Sequence, residues 1–303
     1  MKKQAQTRYN PLTGRSVIFA PKRQDRPNDT KIILKNTDCP FCPEHIRPQE
    51  IIQQLPPTGS WQTAAKKNLF SALSPDNPKA YGYQEVIIDS RQHQENFADL
   101  SIKQISLVLN LFQARSNKIK QDKKIHYILC FKNQGQAAGA SLRHIHSQIF
   151  AASILPPEII EERNRIQIYQ AKNKQCPYCQ LAAAEKNGPR FIWQDKNIIA
   201  FCPFASEFPY EAWLVSRRHV DNISLLKKTE INSLAKALKL IAGKLKDCEY
   251  AFNFFTHNDL DNPHQHFYLK IQPRPNIWAG VELGSGLIIN QTLPEEAAKY
   301  YRK

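Results

Sequence analysis

The chain has 303 residues, of which 42% are hydrophobic and 23% charged, and its formal net charge is +15. This composition is that of a globular protein long enough for two medium-sized domains, and the lack of an apolar run of 18 residues excludes an ordinary transmembrane helix. The positive charge favours anionic partners, but the lysines are scattered, which argues against nucleic acid as a partner and leaves nucleotides and sugar phosphates as candidates.

Seven cysteines occur as two Cys-x-x-Cys pairs plus Cys130, Cys202 and Cys248. Residues 1–10 are polar and lack the apolar core of a signal peptide, so we expect a cytoplasmic protein with no membrane partner. In that setting, paired cysteines favour metal ligands and buried thiols over a disulfide framework.

The first half of the chain predicts strands and one amphipathic helix, separated by loops. In order, these are a short strand at 16–20, a loop carrying Arg23 and Arg26, a Cys-x-x-Cys knuckle at 39–42, a strand at 85–93, a helix from about residue 101, a strand at 125–131 and a strand that contains His144, His146 and Gln148. The two loop arginines could clamp a diphosphate, or they could simply be solvated.

A charged segment at 158–174, predicted to be helical, joins the halves, and the second half then repeats the first. Its elements are a knuckle at 176–179, strands at 191–193, 198–202 and 211–219, an amphipathic helix through residues 231–245, a strand at 251–255 and a strand at 264–271. The spacing between matching elements is 126 residues for His93 and His219, 137 for the knuckles and 120 for the His-x-His pairs.

A repeat over five elements in the same order is hard to obtain by accident. It predicts an α+β fold made of tandem duplicated domains, at 1–157 and 158–303, each with a mainly antiparallel sheet and one long helix.

The stretch from Gly139 to Phe150 carries the chemistry. Alternate residues of a strand share a face, so His144, His146 and Gln148 are predicted to point the same way. One imidazole can hold a metal ion and the second can act as a nucleophile, with an amide beside them for a phosphoryl oxygen.

Two thiolates and two histidines give the usual closed arrangement of structural zinc. The predicted first site uses Cys39, Cys42, His93 and one member of the His144/His146 pair. The predicted second site uses Cys176, Cys179, His219 and either His264 or His266.

These motifs together resemble the galactose-1-phosphate uridylyltransferase family of the histidine-triad superfamily, and the related ADP-glucose phosphorylases. The resemblance covers nearly the whole chain. It includes Arg-Tyr-Asn-Pro-Leu-Thr-Gly at 8–14, Lys-Arg-x-x-Arg-Pro at 22–27, the Cys-Pro-x-Cys knuckle, Asn133, Gly139-x-Ser141, His-x-His-x-Gln at 144–148, Ala-Gly-Val-Glu-Leu-Gly-Ser-Gly at 279–286 and Leu-Pro-Glu-Glu at 293–296.

The resemblance implies that His144 binds zinc and that His146 attacks the α-phosphorus of a nucleoside diphosphate sugar. A nucleotidyl-histidine forms, sugar 1-phosphate leaves, and a second phosphate acceptor takes the nucleotide. Further implied roles are phosphoryl contacts for Gln148 and Ser141, substrate binding for Gly139, nucleotide binding for Arg23, Arg26, Asn68 and Asn133, and hexose binding for Glu282. A homodimer is a further family expectation.

For the second metal site, the family offers two patterns. One is the Cys₂His₂ set, and the other is a glutamate with three histidines, here Glu162, His257, His264 and His266. We favour the cysteine set because two thiolates bind zinc more tightly than one carboxylate does.

Near the nucleophile the sequence departs from the uridylyltransferase pattern. Ser147 replaces the usual glycine and is typical of ADP-glucose phosphorylases, Ile145 replaces a proline, and Leu142-Arg143 replaces Asn-Pro. The Glu-Leu-Gly-Ser-Gly stretch at 282–286 resembles bacterial uridylyltransferases, so we predict a UDP-sugar donor ahead of ADP-glucose with phosphate. A basic zinc-ribbon protein that binds nucleic acid is the alternative from another class, although it gives the His-x-His-x-Gln motif no role.

Overall fold

The structure is a computed structural model that describes residues 5–9, 16–19, 39–258, 260 and 262–303. Its strands are β1 Gln6–Tyr9, β2 Ser16–Phe19, β3 Ile51–Leu55, β4 Thr63–Lys67, β5 Gly82–Ile88, β6 Tyr127–Gln134, β7 His146–Ala152, β8 Phe191–Gln194, β9 Ile198–Phe201, β10 Ala212–Ser216, β11 Phe252–His257 and β12 Tyr268–Pro273. Its α-helices are α1 Ile102–Ile119, α2 Pro157–Asn173, α3 Pro177–Glu185, α4 Lys228–Asp247, α5 Gly280–Ser285 and α6 Pro294–Arg302. Short 3₁₀ turns lie at Pro43–His45, Pro48–Glu50, Pro78–Ala80, Phe97–Asp99, Gln136–Ala138 and Ile223–Leu225.

Strands β3 to β12 form one antiparallel sheet in the order β3-β4-β5-β7-β6-β11-β12-β10-β9-β8, while β1 and β2 pair separately. Each half of the chain supplies five neighbouring strands, and the pairing of β6 with β11 joins the halves. The predicted α+β fold with tandem duplicated units is therefore confirmed, with one difference: the two units share a continuous sheet. The domain boundary at residue 157 stays a prediction.

Helices α1 and α4 pack against each other and cover one face of this sheet. In α1 the side chains of Ile105, Leu109 and Phe112 repeat at helical spacing and are buried, as the sequence predicts. Ser101 begins this helix, where its hydroxyl accepts a hydrogen bond from Gln104 N at 3.1 Å. No helix within the described ranges combines the length and apolar character needed to cross a membrane.

The opposite face carries the candidate sites, because residues alternate between the two faces along each strand. On β5, Ile87 joins the core under the helices, whereas Val86 and Ile88 join a smaller cluster around the first knuckle. A matching cluster of Ile199, Phe201, Val215 and Tyr268 lies beside the second knuckle.

Both His-x-His strands begin later than the sequence predicts. Strand β7 starts at His146 and β12 starts at Tyr268, so His144, His264 and His266 precede the strands. The backbone just before β7 is bonded elsewhere: Ile145 N donates to Gln94 O at 2.9 Å and Ile145 O accepts from Asp89 N at 3.2 Å. His144 therefore reaches the knuckle from just outside the strand, on the same side of the sheet as His146, since Ile145 between them joins the core under the helices.

Candidate functional site

The first knuckle and two histidines form a compact group of four ligand atoms. Cys39, Cys42, His93 and His144 place these atoms within 4.8 Å of one another. His144 Nδ1 lies 3.5 Å from Cys39 Sγ and 3.6 Å from Cys42 Sγ, and His93 Nδ1 lies 3.3 Å from Cys42 Sγ. The structure thus brings the four predicted ligands together.

A backbone carbonyl fixes the orientation of His144. Its Nε2 donates to Ser90 O at 2.9 Å, which leaves the Nδ1 lone pair directed at the two sulfurs. Burial lowers the pKa of His144 to about 4, so the imidazole is neutral at pH 7, as a metal ligand requires.

The second group repeats this arrangement with Cys176, Cys179, His219 and His266, again within 4.8 Å. His266 Nδ1 lies 3.7 Å from Cys176 Sγ and 3.4 Å from Cys179 Sγ, and its Nε2 donates to Ser216 O at 2.6 Å. Of the two histidines that the sequence left open, the structure brings His266 into the group, whereas His264 is exposed.

The alternative set of Glu162 with three histidines does not assemble. Glu162 Oε2 lies 3.4 Å from His257 Nδ1, and its Oε1 accepts from Gln265 and Tyr268 at 3.2 Å each. Burial alone would raise the pKa of Glu162, but His257, with hydrogen bonds from Tyr178 and Gln265, lowers that pKa to about 2. Glu162 and His257 thus belong to a hydrogen-bonded network beside the second four-ligand group.

Both four-ligand groups fit a divalent metal ion of the zinc type, by donor chemistry as well as spacing. Burial and the neighbouring Cys39 raise the pKa of Cys42 to about 12, so a bound cation would have to displace that proton. A closed set of four protein ligands suits a structural ion that ties β7 and β12 to their knuckles.

The shared geometry also corrects how the two halves correspond. His144 and His266 occupy the same place, because each is hydrogen-bonded to a serine carbonyl of its own half. His144 therefore corresponds to His266 and not to His264, as an overlay of the two His-x-His pairs would have it. The counterpart of His146 is therefore Tyr268, and that of Gln148 is Lys270. The second half lacks a histidine at the nucleophile position.

His146 is buried, with 4% of its surface exposed, on the face opposite the helices. Its Nδ1 donates to His144 O at 2.9 Å, so in the neutral ring the lone pair lies on Nε2. The Phe41 ring packs edge-on at 5.0 Å between ring centres and limits how the imidazole can turn. The arrangement presents one defined nitrogen of a held ring.

A relay of amides orients Gln148. Ala72 N donates to Gln84 Oε1 at 2.9 Å, which leaves Gln84 Nε2 to donate to Gln148 Oε1 at 3.4 Å. The Gln148 NH₂ group is then the end available to an acceptor in the cavity. Gln84 is a residue that the sequence analysis missed, and its only signal is its place on the strand that pairs with β7.

A cavity of about 230 Å³ unites four predicted residues, namely Asn68, Ser141, His146 and Gln148. Phe41, Leu69 and Phe70 supply apolar walls, and Lys67 adds positive charge, whereas Lys66 is paired with Glu50 Oε2 at 2.7 Å. An apolar pocket with a few convergent polar groups suits a small anionic ligand with an aromatic part.

Asn133 and Gly139 lie outside this cavity. They line a cavity of about 520 Å³ that crosses the seam between the halves and also includes Asn253, Arg274 and Trp278. Gly139 has φ +84°, a left-handed conformation that favours glycine, and its carbonyl accepts from Asn133 Nδ2 at 3.5 Å.

Glu282 lies apart from these residues, on the short helix α5, where its carboxylate accepts from Ala279 N at 3.0 Å. It does not line either of the two cavities just described. Arg23 and Arg26 lie outside the described residues, so their predicted contact with the substrate stays a prediction.

The model of the family described as "Galactose-1-phosphate uridyl transferase, N-terminal domain" matches residues 1–156. The chain belongs to this family. It is therefore an enzyme of the nucleotidyltransferase class, as the motifs predict.

Two relatives match along nearly their full length. ADP-glucose phosphorylase of Arabidopsis thaliana is 30% identical, over 98% of this chain and 92% of that protein. Galactose-1-phosphate uridylyltransferase of Thermotoga maritima is 29% identical, over 98% of this chain and 97% of that protein.

Solved structures with each of these two activities superpose on the chain. A uridylyltransferase superposes with a TM-score of 0.85 at 26% identity, covering 98% of this chain and 97% of that one. The ADP-glucose phosphorylase of Arabidopsis thaliana with bound ADP-glucose superposes with a TM-score of 0.81 at 28% identity, covering 99% of both chains.

Proposed function

We propose that the protein moves a nucleoside monophosphate from a nucleoside diphosphate sugar to a sugar 1-phosphate, with His146 Nε2 as nucleophile. The observation that carries this proposal is the anchoring of His146 Nδ1 to His144 O at 2.9 Å, which places the lone pair on the opposite nitrogen. A nucleophile needs such a defined lone pair in a cavity with phosphoryl-binding groups.

In the proposed first step, the bond from His146 Nε2 to the α-phosphorus forms while the bond from that phosphorus to the bridging oxygen breaks, releasing sugar 1-phosphate as the leaving anion. A second sugar 1-phosphate then attacks the same phosphorus and frees the histidine. The Gln148 amide and the Ser141 hydroxyl would donate to the phosphoryl oxygens as charge builds on them. Arg23 and Arg26 would hold the diphosphate, Asn68 and Asn133 the nucleotide, and Glu282 the hexose.

We assign zinc to both four-ligand groups, as structural ions. Zinc bound by Cys39, Cys42, His93 and His144 would fix the chain immediately before the nucleophile, since His144 and His146 are separated by one residue. The cytoplasmic location and the homodimer remain predictions.

For the donor, we propose a UDP-sugar, with galactose 1-phosphate or a related hexose phosphate as acceptor. The support is the resemblance of residues 282–286 to bacterial uridylyltransferases and the similarity to the Thermotoga enzyme. The second candidate is phosphorolysis of ADP-glucose. Ser147 after the nucleophile and the similarity to the Arabidopsis phosphorylase favour it.

A labelling experiment tests the nucleophile. After incubation with α-labelled UDP-glucose or ADP-glucose, the wild-type protein should carry a base-stable, acid-labile label. His146→Ala should carry none while keeping its fold and its metal content near normal, because this side chain is not among the metal ligands. More than a few per cent of wild-type turnover in the variant would refute the assignment. Salt-sensitive retention on DNA without labelling would favour the nucleic-acid alternative.

Donor choice needs its own measurement. If the nucleotide base cannot form the hydrogen bonds that the site offers, a buried polar group is left unsatisfied, which costs about 1–3 kcal/mol of binding free energy. One sugar nucleotide should therefore be preferred over the other roughly five- to 150-fold. We expect higher kcat/KM for UDP-glucose with galactose 1-phosphate than for ADP-glucose with inorganic phosphate. The opposite order would make the enzyme an ADP-glucose phosphorylase.

A further inference from the structure

A buried ion pair lies directly beneath the nucleophile, on the helix-covered face of the sheet. Lys132 Nζ lies 2.8 Å from Asp89 Oδ2, and the two side chains are 1% and 0% exposed. The same Lys132 ammonium donates to His146 O at 3.0 Å. The Asp89 oxygen also accepts from Ser147 Oγ at 3.0 Å.

These contacts tie together three strands at the point where β7 begins. Asp89 follows the last residue of β5, Lys132 lies on β6 opposite Ser147, and Ser147 is the second residue of β7. The backbone of Asp89 adds a bond from its N to Ile145 O at 3.2 Å. The network therefore holds the residues immediately before and after His146 as well as the His146 carbonyl.

A charge pair in this position is not needed for the fold, and the second half of the chain shows this. Ser147 lies three residues after His144, and Leu269 lies three residues after His266, so Leu269 is the counterpart of Ser147. Ser147 pairs with Lys132 on β6, and Leu269 pairs with Thr256 on β11, so Thr256 is the counterpart of Lys132. Asp89 lies just before His93, and at the matching place before His219 the residues Val215 and Ser216 are uncharged. The copy without a nucleophile has the same strands, with uncharged residues at these described positions.

Buried pairs of this kind seldom add stability over apolar residues of similar size, because removing two charges from water offsets their attraction. A specific geometry is the better-supported reason to keep one. Nucleophilic attack is sensitive to displacements of about 1 Å, which can change rates on the order of 100-fold.

We propose that Asp89, Lys132 and Ser147 form a positioning network that sets the height and tilt of the nucleophile residue from the opposite face of the sheet. The inference rests on His146 being the nucleophile. None of the three side chains need touch the substrate. Their effect is to hold the His146 backbone, so that Nε2 meets the α-phosphorus in line with the leaving oxygen.

The test compares an apolar replacement of the whole network with the wild-type protein. The triple variant Asp89→Val, Lys132→Met, Ser147→Ala leaves none of these three polar side chains unpaired. We expect wild-type metal content and an equal or higher melting temperature, with kcat lowered about 10- to 100-fold and KM for the sugar nucleotide nearly unchanged. Single-turnover formation of the protein adduct should slow by the same factor.

Ser147→Ala alone provides a second measurement if the triple variant loses metal or melts early, since it removes one hydrogen bond and leaves the ion pair. A kcat lowered several-fold at constant KM supports positioning. The control is Thr256→Val, which likewise deletes one buried hydroxyl, at the second-half position that corresponds to Lys132, and should cost stability without lowering kcat.

Wild-type kcat in a stably folded triple variant, or in Ser147→Ala where the triple variant is unstable, would overturn the positioning network. Adduct formation by the wild-type protein is measured first, with the same labelled UDP-glucose and ADP-glucose. Its absence would overturn the proposed function itself, and the two failures are thereby distinguished.

Discussion

At the scale of single residues, Gln84 decides which end of the Gln148 amide faces the cavity, because Ala72 N holds Gln84 Oε1. Gln84→Glu keeps the shape and the bond from Ala72 but removes the donor to Gln148. The Gln148 amide should then turn its NH₂ toward the introduced carboxylate and present its oxygen to the phosphoryl group. We expect kcat/KM to fall about 10- to 100-fold, which is less than the roughly 100- to 1,000-fold cost of deleting a transition-state donor outright.

Steady-state kinetics with either sugar nucleotide measures this effect. Gln121→Glu, an exposed position after α1, makes the same change of charge and controls for it. Equal kcat/KM in both variants and the wild-type protein would mean that Gln148 is oriented by something other than Gln84.

Residue-scale features were predictable where a residue type has few alternative uses. Two knuckles and spaced histidines predicted the ligands, and the structure brings together all but His264. Lys132 also left a signal, because it occupies an inward position of the alternating strand β6, although its partner Asp89 is 43 positions away. The orientation of Gln148 left none, since an amide flip depends on neighbours from other strands.

At the scale of elements, the two four-ligand groups share no residue, and each holds one knuckle against the start of a strand, β7 or β12. We therefore expect each group to bind its metal ion independently of the other. Cys39→Ser should lower the zinc content from two ions per chain to about one and reduce stability with it, since metal binding and folding are coupled. Cys179→Ser should do the same at the second group.

Glu162→Ala separates the two candidate second sites. Glu162 bonds to Gln265 and Tyr268 but is absent from the four-ligand group, so this variant should keep two ions while it melts earlier. Elemental analysis of the variants measures the metal count. A loss of one ion in Glu162→Ala, or none in Cys39→Ser, would contradict the assigned ligands.

Element boundaries near the histidines were the part that the sequence predicted least well. Alternation in His-x-His-x-Gln favoured one continuous strand, but tertiary bonds from Ile145 to Gln94 and Asp89 delay β7 until His146. Strand β12 is delayed further, to Tyr268, and this difference made the simple overlay of the two His-x-His pairs misleading. Long elements with clear periodicity, such as α1, agreed with prediction because their packing and their local pattern coincide.

For the whole molecule, the internal repeat predicted two units, but it could not show that they share one sheet. That sharing depends on pairing between β6 and β11, which lie more than 100 residues apart. Side chains reinforce the seam: Thr256 Oγ1 accepts from Cys130 N at 3.2 Å, and Asn258 Nδ2 donates to Ile128 O at 3.3 Å. One buried core also contains residues of both halves, under α1 and α4.

The continuous sheet predicts that neither half folds alone. A fragment of residues 1–157 would leave β6 as an open edge and uncover the part of the core that α4 shields, so it should be aggregated or unfolded. Co-expression with residues 158–303 should restore a soluble pair with the metal content of the intact chain. The intact chain should unfold in a single cooperative transition by calorimetry and by circular dichroism. A fragment 1–157 that unfolds cooperatively and binds one zinc ion would show instead that the seam is an interface between independent domains.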